Sequence, residues 1–294
     1  MIIIQPIDVT DANLTTDVPL SEIEWTAGTT PEGEERRIGN DLYRAVIETA
    51  DDPVTGVDAD PPTWIRIGVV NRFQMFDEFY HSQTVQVDQI EVTIQPTEVV
   101  NSVTLLNLDA LSARVTVDDG AGDTLYDETK SLLDNSQVAD YWEYFFSPIL
   151  KRRDVTFIDL PSYSQPVTIT VTGADGAEVR VGGAFIGRQR IIGEAVYGTR
   201  RDLLNFSTKE RDQFGRFNIV SRNKAKLVTY EVAVETRNND YIADFLEDVA
   251  DVPGIYIGDP TRGGTITYGY PRDFGFPYET PSISKLSLEV ESVT

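Results

Sequence analysis

His81 is the only histidine of the 294 residues and cysteine is absent, so the chemistry open to this chain is narrow. No two-histidine metal motif, thiolate nucleophile or disulfide can form, and cysteine usage leaves the redox compartment open. A lone histidine after Phe79-Tyr80 reads as a surface or packing residue. Gly-x-Ser-x-Gly, the phosphate-binding Gly-Lys-Ser/Thr loop and Gly-x-Gly-x-x-Gly are all missing. With 48 acidic residues, a carboxylate pair for glycoside hydrolysis depends on separation in space, so the sequence singles out no catalytic residue and no cofactor. Two acidic groups, Asp51-Asp52 with Asp58 and Asp60 and Asp118-Asp119 with Asp123, lack the twelve-residue calcium pattern and read as solvated loops. The expectation is a non-enzyme without a metal.

Binding is left to aromatic rings and charge. Trp25, Tyr43 and Trp64 recur in a segment otherwise rich in Thr, Gly, Asp, Glu and Pro. A ring face stacks on the axial C–H groups of a pyranose while nearby polar groups hold its hydroxyls, so these three are candidate carbohydrate-binding residues. A unit of this size also needs two or three aromatics simply to have a core, and both readings stand. Charge is uneven. The formal net charge is -23, yet residues 186–226 carry ten basic and four acidic side chains, while residues 1–66 carry four basic and fourteen acidic. Arg188, Arg190, Arg200, Arg201 and Arg211 are the candidate assembly interface, in which the basic segment of one copy meets the acidic surface of the next. Pairing of the two segments within one chain is the alternative.

The elements that position these residues read as mainly β. Residues 2–11 form one strand whose Pro6 marks it as an edge or an arm, giving an amino-terminal arm over residues 1–16. Residues 17–68 form a small module with a hairpin around Gly39-Asn40-Asp41, closed by Trp64. In residues 69–190, an irregular run from Asn71 to Asp77 leads into seven or eight short alternating strands, the pattern of a β-sandwich. A phase slip at Asp88-Gln89 suggests a bulge. One helix interrupts them over residues 134–146, and the helical spacing of Val138, Tyr141, Trp142, Phe145 and Phe146 predicts a core-facing stripe. Residues 191–294 form a carboxy-terminal α+β domain: a strand over 224–235 whose face of Lys226, Val228, Tyr230, Val232 and Val234 turns to a core, then a helix over 239–250 capped by Asn239 or Asp240 and stopped by Pro253-Gly254.

Three resemblances follow from these residues. Trp25, Gly39, Leu42, Tyr43, Ala45, Asp52, Pro53 and Trp64 fall as in the small three-stranded chitin-binding modules of carbohydrate-binding families 5 and 12, with Thr29 to Arg37 departing from the family's exposed-tyrosine turn. Asn71 to Asp77 together with Gly183-Ala184-Phe185-Ile186-Gly187 resembles the entry and closing strands of galactose-binding-like jelly rolls. Across the whole chain, Val9-Thr10-Asp11-Ala12, Asn71 to Asp77, Tyr144 to Pro148 and Tyr268 to Phe274 resemble phrases of tail-tip and baseplate proteins of siphophage-like tailed bacteriophages. That resemblance implies a multi-copy virion tail protein, made in the host cytoplasm, whose partners are its own copies, other tail proteins and a host cell-surface glycan. A free-standing carbohydrate-binding adhesin is the alternative, and a glycan hydrolase the third reading.

The charge argues against nucleic acid as a partner because phosphate repulsion would dominate, and it suits solubility in a salty medium. No apolar run approaches the length of a membrane span, and the opening Met-Ile-Ile-Ile-Gln-Pro lacks the charged and apolar regions of a signal peptide.

Overall fold

The computed structural model describes residues 1–79, 81–134, 136, 140–146, 148–211, 214–277 and 280–293. Val138 of the expected helix lies outside them, as do residues 212–213 and 278–279. Strands hold 49% of the residues and helices 11%, so the class is mainly β, as the alternation predicts.

The amino-terminal strand Ile2–Pro6 holds the two large parts together. It pairs antiparallel with Gly183–Ile191 on one side and with Gly254–Ile257 on the other, which makes it an interior strand of a ten-stranded sheet. This corrects the expectation of an edge or an arm. Pro6 is tolerated because it is the last residue of the strand; its missing N–H costs one ladder position at the end, and Ile7 N–H resumes by donating to the Ile186 carbonyl at 2.8 Å. Ile3 and Ile4 are fully buried on opposite faces, each in a different cluster. Facing Pro6 in the register is Gly187, where a Cβ would lie 2.0 Å from the Gln5 carbonyl oxygen, so only glycine lets the strands approach.

The sandwich packs a five-stranded antiparallel sheet, in the order Thr124–Ser131, Ser112–Asp118, Val167–Thr172, Gln89–Ile94 and Leu14–Thr16, against the end of the long sheet formed by Val155–Phe157, Ser102–Leu106 and Gly183–Ile191. Ile90, Val92 and Ile94 alternate into the core, meeting Val115, Val117, Ile169 and Phe157. Each such burial contributes about 1.5–3 kcal/mol before the entropy of ordering is subtracted. The phase slip at Asp88-Gln89 is a change of sheet. Thr84–Val87 pairs with Glu178–Val181, the chain turns at Asp88 (φ 69°), and Gln89–Ile94 pairs with Val167–Thr172. The Asp88 carboxylate accepts the Gly176 N–H at 2.6 Å and fixes the corner.

Beyond Ile2–Pro6 the long sheet continues through Gly254–Ile257, Ile266–Gly275, Ile283–Ser292 and Lys224–Glu235. Val228, Tyr230, Val232 and Val234 are buried as predicted, beneath the helix Asn239–Asp248, which contributes Ile242, Phe245 and Leu246. Asn239 does not cap this helix: it is buried, and its amide donates to the Ser284 hydroxyl at 2.9 Å.

The small module is a three-stranded sheet of Glu35–Ile38, Asp41–Ala45 and Trp64–Val69, with a short helix Pro53–Val57 whose first N–H groups are taken by the Asp52 carboxylate. Asn71 joins it to the sandwich. Its side chain donates to the Val85 carbonyl and accepts the Val85 N–H, both at 2.9 Å, so an amide stands in for a strand neighbour.

Candidate functional site

The aromatic triad comes together, but as a core. Trp64 is fully buried and Tyr43 nearly so, while Trp25 is half-buried against them. The Trp64 indole N–H donates to the Asp51 carbonyl at 3.1 Å, and a Cβ on Gly56 would lie 2.5 Å from its ring, so the short helix closes directly over the indole. No face of Trp64 is open to a sugar, and Trp25 alone keeps a partly accessible ring.

The five arginines take separate roles. Arg190 lies 4.4 Å over the Phe245 ring and donates to the Tyr241 hydroxyl at 3.0 Å, locking the helix onto the sheet. Arg200 pairs with Asp202 at 2.7 Å. Arg188 is exposed on the strand Gly183–Ile191. Arg211 and Arg201 mark two surfaces that sequence periodicity could not locate.

Arg211 sits on a two-stranded ribbon. Arg200–Asn205 pairs with the start of Lys224–Glu235, and the same two chain segments run on as Thr208–Arg211 paired with Phe217–Val220. Residues 214–224 are all exposed, with Phe214, Phe217, Ile219 and Val220 among them and the Arg211 guanidinium 5.8 Å from the Phe217 ring centroid. A second apolar surface is the helix Tyr141–Phe146. Tyr141, Trp142, Tyr144, Phe145 and Phe146 are at least 66% exposed, and their rings stack on one another, Trp142 on Phe146 at 4.1 Å and Tyr144 edge-on to Phe145. The expectation of a core-facing stripe is therefore corrected. Helical spacing describes a face, and a face is buried only where another surface meets it.

Arg201 lines a cleft of about 1060 Å³ between the sandwich and the carboxy-terminal half. The sandwich wall brings Lys130, Arg152 and Arg153; the opposite wall brings Arg201, Lys226 and the turn at Gly263-Gly264. Asp154 lies at its base and accepts the Asn107 backbone N–H at 3.2 Å. Burial raises the Asp154 carboxyl above its ordinary range against the attraction of Lys226, Arg201 and Arg153, and burial likewise lowers Lys226. The turn is packed closely: a Cβ on Gly263 would stand 3.3 Å from an Asp154 carboxylate oxygen, and one on Gly264 3.6 Å from the Arg201 guanidinium. Lys130 reaches the Thr156 carbonyl at 2.8 Å and lies over the Phe157 ring at 4.6 Å.

The loop carboxylates act within their own turns. Asp52 caps the short helix, and Asp119 accepts the N–H groups of Ala121, Gly122 and Asp123. Among the described residues no group of three or more His, Asp or Glu is arranged to hold a metal ion, and no helix is long and apolar enough to cross a membrane. Comparison with protein-family models, with curated proteins and with solved structures finds no match for this chain.

Proposed function

We propose that this chain is a non-enzymatic structural subunit of a phage tail tip or baseplate, present in several copies, that joins its neighbours through the ribbon of residues 200–229 and the aromatic helix. The observation that carries this reading is the ribbon. It is apolar and basic, uncovered over its outer half, and belongs to a chain of formal charge -23. Uncovered strands with large apolar side chains are a liability for a monomer and an asset for a subunit, since a second protein covers them. The surrounding acidic surface supplies the complementary field for another copy. The glycan part of the proposal narrows to Trp25, because Trp64 and Tyr43 are committed to the core.

Sedimentation velocity over a range of concentrations tests the reading. The intact protein is expected to associate as concentration rises, and Phe217→Ser/Ile219→Ser is expected to shift it to monomer while the melting temperature stays unchanged. A chain that stays monomeric at every concentration yet binds a host glycan would instead be a free-standing adhesin.

A further inference from the structure

Several arginines of this protein hold no ion pair among the described residues, and three of them share one concave surface. Arg36, Arg37, Arg44, Arg66, Arg114 and Arg180 each hold a carboxylate in an ion pair, as expected where acidic residues outnumber basic ones nearly two to one. Arg152, Arg153 and Arg201 hold none among the described residues, although all three line the same concave surface. With Lys130 and Lys226 the lining carries five basic side chains against the three carboxylates Asp134, Asp154 and Asp159, an excess of two positive charges. Asp154 beneath them attracts Lys226, Arg201 and Arg153, and Arg152 attracts Asp134, so the carboxylates offset the basic group only in part.

We propose that this cleft is a binding site for an oxyanionic ligand carrying at least two negative charges, bridged between Arg152 and Arg153 on the sandwich wall and Arg201 on the carboxy-terminal wall. Planar guanidinium groups bind carboxylate or phosphate oxygens two at a time, and opposed walls suit a ligand with separated charges. The cleft's volume lies at the upper end of small-molecule sites, which run to about 1,000 Å³, so a free polyvalent anion or the acidic side chains of an inserted peptide both fit. The same chemistry thus has two sources, a free anion or a carboxylate-rich segment of another protein. Closing the gap between walls that belong to different parts of the fold makes ligand binding a stabiliser of their junction. Arg201 and Lys226 stand at the inner end of the ribbon's strands, while the ligand chemistry of the site does not depend on the assembly reading.

Isothermal titration of the full chain with citrate, tripolyphosphate and a hexaglutamate peptide tests this, with Arg152→Ser/Arg201→Ser as the cleft variant and Arg211→Ser as a control on the ribbon. All three arginines are exposed, so their truncation leaves the core intact, and a melting curve checks that it does. At least one probe is expected to bind the wild type and the control equally, to bind the cleft variant at least about ten-fold more weakly, and to weaken as salt is raised. Binding of the small anions identifies a free ligand, and binding of the peptide alone identifies a protein segment. The proposal is overturned if no probe binds the wild type, or if the cleft variant binds as well as the control.

Discussion

The strand Ile2–Pro6 and the strand Phe217–Val220 are both short and apolar, yet the first lies inside a ten-stranded sheet and the second, among the described residues, has one strand partner and is exposed. Ile3 and Ile4 are 1% and 0% exposed; Phe217 and Ile219 are 56% and 55% exposed. The difference shows that apolar strands serve two ends here. One closes the fold, and the other is left exposed, where the proposed assembly would place a neighbour.

The sharpest way to break this comparison is a charge on the interior strand. Ile4→Asp places an unpaired carboxylate between Gly183–Ile191 and Gly254–Ile257, at a cost above about 4 kcal/mol, and is expected to abolish cooperative unfolding in urea monitored by circular dichroism. A variant that unfolds like the wild type would show that the strand is the arm its proline suggested.

Next in size is Trp64→Ala, expected to cost about 3–5 kcal/mol but to act on the three-stranded module, whose small cluster has few other members. Limited proteolysis should then cut residues 17–68 and spare the sandwich. Simultaneous loss of both would mean that the module and the sandwich fold as one unit.

The cleft offers a smaller effect with a pH signature. Because burial raises Asp154, its contribution to stability is full below its ordinary value of 3.8 and declines as pH rises through the folded value. Lys226 is lowered, so its contribution is full above 10.5 and declines as pH falls through its folded value. Burial opposes the charge on each, and their mutual attraction favours it. Asp154→Asn and Lys226→Met singly are expected to destabilise by about 1–2 kcal/mol, and together by less than their sum. Additive losses in a urea-denaturation cycle at pH 7 would show that the two groups do not interact.

The smallest expected change in stability sharpens the other side. Phe217→Ser/Ile219→Ser should alter unfolding by no more than about 0.5 kcal/mol, since neither side chain is buried, while lowering the association constant. A large loss of stability would mean that the ribbon packs on its own chain.

The pattern of residues determined much of this by itself. Period-two alternation marked the sandwich as a series of short strands and picked out the buried set Val228, Tyr230, Val232 and Val234, because each strand has one face on a core. The module's hairpin was legible at Gly39-Asn40, and its three aromatics were marked as a group, although spacing could not say whether they face each other or the solvent. Tertiary structure alone decided where faces find partners. Ile2–Pro6 is interior because strands more than 180 and 250 residues away flank it, a non-local pairing that local composition does not encode. The aromatic helix is exposed because burial depends on an opposing surface, which helical period does not report. The cleft likewise exists only because Arg152 and Arg201, distant in the chain, end on facing walls, where an electrostatic field is set by separation in space and not by order in sequence.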